Sequence, residues 1–176
     1  MTFNNKRQRV FSASFINSII RPISEESSLY ISKYADEGKA LMLKLCNQDI
    51  DSYYDYINIW VNNIKCALKT RGISNITLEK HFIGDIWHGY VDIYSNSKFF
   101  ELKVRSHKTC ELTTVVQCEI YSRLTNLPYE IWYINRNTGE VNEIKPTEEM
   151  KNKAINIIDL FEKFIDYIRT KRPKSR

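Results

Sequence analysis

The chain has 176 residues, 26 lysines and arginines against 21 acids, a net charge of +5, and hydrophobic and aromatic shares of 43% and 12%. That composition describes one folded globular domain long enough to bury its own core, and it excludes a disordered chain. The mild basicity permits a polyanionic partner without demanding one. Cys46, Cys66, Cys110 and Cys118 form no Cys-x-x-Cys pair, which argues against a zinc ribbon or a metal cluster and for reduced thiols.

The first nine residues lack an apolar signal core, and no run approaches the length that spans a bilayer, so the expectation is a cytoplasmic protein with no membrane partner. Val10 to Phe15 reads as a short strand, and Ser14 as the cap of a helix from Phe15 to Ile20 that stops before Pro22. Ser24, Glu25, Glu26 and Ser27 mark the next helix start, since acids favour the positive end of a helix dipole. From Leu29 to Leu45 the apolar residues follow a helical period. Gly38 inside that helix predicts a close approach or a break. Asp51 to Thr70 repeats the pattern through Tyr53, Tyr56, Ile57, Trp60, Ile64 and Leu68, and Arg71-Gly72 ends it. The first third is therefore a helical layer whose aromatic stripe is read as core.

Strand chemistry begins at Ile73. Thr77 to Ile83 alternates, Gly84-Asp85 signals a turn, and Ile86 to Tyr94 alternates again. Ser95-Asn96-Ser97-Lys98 has turn chemistry, with its tip at Asn96 and Ser97, so three antiparallel strands follow one another up to Lys103. A two-residue loop at that tip places Asp92 opposite Glu101 and Tyr90 opposite Lys103. Opposed Cβ atoms lie about 4.5–5.5 Å apart, and like charges at that spacing repel. A cation between the oxygens, or a retained proton, relieves the repulsion, and a hard divalent ion suits two carboxylates. With Lys103 on the strand face of Glu101, two acids and one ammonium converge, which is equipment for a phosphate and its attacking water. Glu79 could join them as a third acid or sit on an exposed strand face; spacing leaves both open. His81 and His88 are read as packed or surface residues, not ligands.

Arg105-Ser106-His107-Lys108 is a basic loop, and Glu111 to Thr125 the next helix, on which Gln117 and Tyr121 share one face. Tyr129 to Asn135 and Glu140 to Lys145 form a second hairpin around Asn137-Thr138-Gly139. Pro146-Thr147-Glu148-Glu149 opens a last helix with Ile155, Ile158, Phe161, Phe164, Ile165 and Ile168 on its buried stripe. The tail from Arg169 to Arg176 is a basic block that either holds nucleic-acid backbone or keeps the end solvated.

Gly89-x-x-Asp92, Glu101-Leu102-Lys103 and Gln117-x-x-x-Tyr121 together resemble the motif series of the PD-(D/E)XK nuclease superfamily, in its RecB-like and phage exonuclease branch. Phe11 to Ile16 is similar to the strand and capped helix that open many phage members, and the likeness covers Val10 to Lys145. It implies an α/β fold with a restriction-endonuclease-like core: a central mixed sheet flanked by helices under a helical N-terminal layer. It divides the chain into a helical layer at 1–72, a catalytic sheet and helix at 73–145, a C-terminal helix at 146–170 and a basic tail at 171–176. In that fold a strand of the second hairpin adds in parallel beside the Glu101 strand, with the Gln117 helix as a right-handed crossover.

The resemblance further implies Mg²⁺ or Mn²⁺ held by Asp92, Glu101 and the backbone carbonyl of Leu102, with Glu79 where the family often has a strand glutamate. Lys103 would position or activate water, Gln117 and Tyr121 would support the site or the strand, and Arg105, His107 and Lys108 would clamp phosphate. DNA is the implied partner, in recombination, repair or phage DNA processing, with exonuclease action ahead of endonuclease. The host cytoplasm is the setting if a phage encodes the chain. A homo-oligomer or a recombination partner protein is compatible, and no iron–sulfur cluster is expected. An inactive nucleic-acid-binding relative is the remaining alternative, because Met42 stands where many relatives carry a site histidine, and a thioether is a poor ligand for a hard cation.

Overall fold

The computed structural model describes residues 10–15, 36–47 and 55–171. Within them lie strands β1 (Phe11–Ser12), β2 (Thr77–Ile83), β3 (Trp87–Tyr94), β4 (Phe99–Arg105), β5 (Tyr129–Asn135) and β6 (Val141–Ile144). The helices are α1 at 36–45, then α2 (Asp55–Thr70), α3 (Leu112–Thr125) and α4 (Glu148–Lys171). Residues 16–20 of the expected Phe15 helix, the Ser24 start, residues 29–35 of the Leu29 helix and residues 51–54 of the Asp51 helix lie outside the described residues, as do residues 172–176 of the basic tail. Among the described residues no helix is long and apolar enough to cross a membrane.

The six strands form one mixed sheet in the order β1-β3-β4-β5-β6, with β2 on β3. β2, β3 and β4 are antiparallel neighbours. β5 adds beside β4 in parallel, from Phe99 against Tyr129 to Arg105 against Asn135, after the α3 connection. β6 returns antiparallel through a turn in which Gly139 adopts φ +71° and its N–H donates to the Asn135 carbonyl at 2.7 Å. A Cβ there would come within 2.9 Å of the Trp60 ring, so both conformation and space call for glycine.

Each sheet face carries a core. One cluster joins Trp87, Val91 and Phe99 to Val115, Val116 and Ile120 of α3 and to Ala154 and Ile158 of α4. The other joins Phe100, Leu102, Trp132 and Ile134 to α1 and to Ile57, Trp60 and Ile64 of α2. The aromatic stripe of α2 is thus core, with Trp60 only 1% exposed. Each such fully buried large side chain contributes about 1.5–3 kcal/mol by leaving water.

Three expectations are corrected. α1 runs through Gly38, and a Cβ there would meet nothing within 4 Å, so neither a break nor a close approach explains that glycine. On α4, Phe164 is exposed, whereas Ala154 is fully buried against α3, because a small side chain is what lets the two helices approach. The first strand is limited to Phe11–Ser12, held parallel to Trp87 and His88 of β3.

Candidate active site

The β3–β4 hairpin closes where its turn chemistry dictates. The Ser95 N–H donates to the Lys98 carbonyl at 3.0 Å and the Ser95 hydroxyl to the same oxygen at 2.7 Å. Tyr94 faces Phe99 and Ile93 faces Phe100, the register of a two-residue loop at Asn96 and Ser97. The ladder then stops, one pair short of Asp92 and Glu101. Tyr90 does not reach Lys103; it pairs with His81 of β2. The strands fork because the next opposed pair would be two carboxylates. Asp92 fills the fork by accepting the Leu102 N–H on its own Oδ2 at 2.8 Å, in place of the lost ladder bond.

The β2–β3 ribbon is also interrupted here. Its register is regular from Thr77 to Ile83 except at Glu79 and Asp92, which form no pair. Glu79 takes φ +46°, a left-handed conformation that a residue with a Cβ adopts at a cost of order 1–3 kcal/mol. Leu78 and Ile93 pack with the α1/α2 core, while Phe82 and Val91 pack with the α3/α4 core. The ribbon therefore changes faces at the level of the acids. Glu79 is exposed, and Cys46, just past α1, lies near enough that its thiol is raised by burial and then by the Glu79 charge.

Glu101 is 2% exposed on the α3 side of β4. Lys103 Nζ donates to Glu101 Oε1 at 2.7 Å, and Glu101 Oε2 is buried with no hydrogen-bond partner among the described residues. Burial, then the Glu101 charge, push the Asp92 carboxyl up to about 8; Lys103 and the Leu102 N–H oppose the shift, and Glu79 adds to it. Burial pulls Lys103 down, but the charges of Glu101 and Asp92 outweigh it and leave the ammonium raised. The pocket thus holds two acids and one firmly protonated amine, with one acid inclined to keep its proton when no cation is present.

α3 closes the site. The Gln117 amide donates to the Tyr121 hydroxyl at 3.0 Å. Burial and the Glu101 charge raise the Tyr121 phenol, keeping it a neutral donor. A Cβ on Gly89 would lie 2.5 Å from the Tyr121 ring and 2.9 Å from its hydroxyl, so the glycine three residues before Asp92 is the seat of the tyrosine. Gly89→Ala is expected to lower stability by about 1–3 kcal/mol through overpacking. Chemical denaturation would show it, and Tyr121→Leu in the Gly89→Ala background should restore most of the loss.

Among the described residues no group of three or more histidine, cysteine, aspartate or glutamate side chains is placed to share one ion. Asp92 and Glu101 therefore stand as a pair, with Glu79 apart on the ribbon. Arg105, expected at a phosphate clamp, donates to Glu111 Oε2 at 2.8 Å, while His107 and Lys108 are exposed. Met42 is buried in the α1/α2 core, and the Leu102 side chain belongs to the same cluster. Sequence reasoning passed over Cys118, buried on α3, whose thiol is pushed well above its ordinary value by burial and then by Glu101. It also set aside His81 and His88, whose ring nitrogens lie 3.4 Å apart on the outer face of the ribbon.

No family model matches this chain, and no curated protein matches it. Among solved structures, a phage related exonuclease from Haemophilus somnus 129PT is similar at 13% identity and a TM-score of 0.47, over 95% of this chain and 98% of that one. A structure of SSO0001 is similar at 16% identity and a TM-score of 0.41, over 89% of this chain and 78% of that one.

Proposed function

We propose that the chain is a metal-dependent nuclease that hydrolyses phosphodiester bonds of DNA from an end. The observation that carries the reading is the fork itself: Asp92 and Glu101 are brought together, and one buried Glu101 oxygen has no partner among the described residues. A fold has little reason to hold that oxygen unsatisfied, and a divalent cation is the partner that two carboxylates and the Leu102 carbonyl fit. Mg²⁺ or Mn²⁺ bound there supplies Lewis-acid polarisation of the scissile phosphate and a lowered pKa for its water.

The protein's own groups do the rest. Lys103 carries a fixed positive charge beside the acids, where it orients the attacking water and offsets charge gathering on the phosphate oxygens. Tyr121, held by Gln117 and seated on Gly89, donates a neutral hydroxyl toward the acids' side of the cleft. His107 and Lys108 offer backbone contacts to the incoming strand. Attack from an end is the mode implied by the resemblance of the three motifs, and DNA recombination, repair or phage DNA processing is its natural setting.

The test is incubation of linear and covalently closed circular DNA with the protein in Mg²⁺, Mn²⁺ or EDTA. Loss of linear DNA alone, abolished by EDTA, is the expected result. Cutting of circles would replace the exonuclease with an endonuclease, and no metal-dependent cleavage with binding intact would leave a nucleic-acid-binding domain.

A further inference from the structure

We propose that the cleft between the hairpin tip and the loop after α2 binds the phosphate group of a nucleotide or a nucleic-acid strand, with Arg71 and Lys98 as its cationic donors. The site is separate from the acids and does not draw on them. Lys98, Phe100 and Leu102 alternate with Phe99, Glu101 and Lys103, and Phe100, Leu102 and Trp132 belong to the α1/α2 core, on the other side of the sheet from Phe99.

Residues 71–75 form one wall and residues 95–98 the other, around about 560 Å³. That is the size of a small-ligand site and far more than one inorganic anion fills. Its lining includes Arg71 and Lys98 and no acid. Ser74, Asn75, Asn96 and Ser97 are exposed along it, and none of their side chains makes a hydrogen bond among the described residues.

Both cations are fixed in place. The Arg71 guanidinium carbon lies 4.6 Å from the centroid of the Trp132 ring, and among the described residues no carboxylate pairs with it. Its flat face is used by the ring, so its N–H edges remain for an oxyanion. Lys98 Nζ donates to Glu130 Oε1 at 2.5 Å, while Glu130 Oε2 accepts the Trp132 Nε1–H at 2.9 Å. One carboxylate thus anchors the lysine and the ring under the arginine. Two cations against one acid leave a positive charge facing the cleft. A carboxylate ligand would be satisfied by the arginine fork alone; the further oxygens of a phosphate also use the ammonium, hydroxyls and amides around it.

The experiment is isothermal titration calorimetry in EDTA, which removes metal-bridged binding at the acids. The ligands are a deoxynucleoside monophosphate, its parent nucleoside and an oligonucleotide without terminal phosphates. Wild type is compared with Arg71→Met, whose stem still covers Trp132, with Arg71→Lys, and with Lys69→Met, a control for bulk charge at an exposed position of α2. Thermal melting checks each fold, and the exposed double variant Asn96→Ala with Ser97→Ala decides the matter should Arg71→Met unfold.

Wild type should bind a phosphate-bearing ligand saturably and the nucleoside not at all. Arg71→Met should weaken binding at least about ten-fold, Arg71→Lys less, the tip variant about three-fold and Lys69→Met less than about two-fold. Arg71-dependent binding of the monophosphate assigns a free nucleotide as ligand, and the same dependence for the oligonucleotide alone assigns backbone phosphate. No saturable binding of either, nucleoside binding as strong as that of its monophosphate, or equal losses in Arg71→Met and Lys69→Met would overturn the site. Cleavage plays no part in these titrations, so their outcome leaves the nuclease reading to its own test.

Discussion

Asp92→Asn is expected to abolish cleavage and, in the absence of divalent metal, to make the protein more stable. The asparagine carbonyl can still accept the Leu102 N–H, so the fork keeps its hydrogen bond. What disappears is a carboxylate that burial and Glu101 disfavour. The sign follows from the shift. The folded pKa of about 8 lies above the ordinary aspartate value near 3.8, so the folded state holds the proton more tightly than the unfolded one. The contribution of Asp92 to stability is therefore full below about pH 4, declines as pH rises toward about 8, and levels off above it. The asparagine variant lacks this decline, and its advantage grows over the same window to the order of a few kcal/mol. Urea unfolding from pH 4 to pH 9 in EDTA measures it. Loss of a metal-binding carboxylate should meanwhile remove several kcal/mol of transition-state stabilisation, at least about a thousand-fold in rate.

Lys103→Ala is expected to stop cleavage as well, but with the opposite effect on stability. Glu101 is almost wholly buried, and the lysine is its only charge partner at hydrogen-bond distance among the described residues. Removing one side of such a pair leaves a buried carboxylate uncompensated and costs about 3 kcal/mol. Replacing both partners by neutral groups, Glu101→Gln with Lys103→Met, should recover most of that loss without recovering activity. The two substitutions thus separate catalysis from folding: both remove activity, one stabilises and one destabilises. Urea midpoints at pH 7 decide it, and a Lys103→Ala variant as stable as wild type would mean that water already neutralises Glu101.

The hairpin tip was legible because turn chemistry is local: Ser95 to Lys98 closes on itself within four residues. β2 and β5 were legible for a similar reason, through alternation bounded by turn residues, whereas the parallel placement of β5 beside β4 came only from the resemblance. The fork was not, since where a ladder stops depends on two charges meeting in space, and an alternating pattern reads the same on either side of the break. The face change at Glu79 leaves no trace in composition either. Arg105 shows the same limit: a basic loop looks available until a loop return brings Glu111 within 2.8 Å. Phe164 and Ala154 show the limit of periodicity, which identifies apolar positions but not which of them meets a neighbouring helix.

Thermal unfolding of wild type and Asp92→Asn, each in EDTA and in millimolar Mn²⁺, tests the carboxylate pair most directly. A cation that binds the folded state alone adds stability by mass action. Mn²⁺ should raise the wild-type melting temperature, leave Asp92→Asn nearly unmoved, and so erase or reverse the variant's advantage. Equal shifts in both proteins, or none in wild type, would contradict the claim that Asp92 and Glu101 are the seat of a divalent cation.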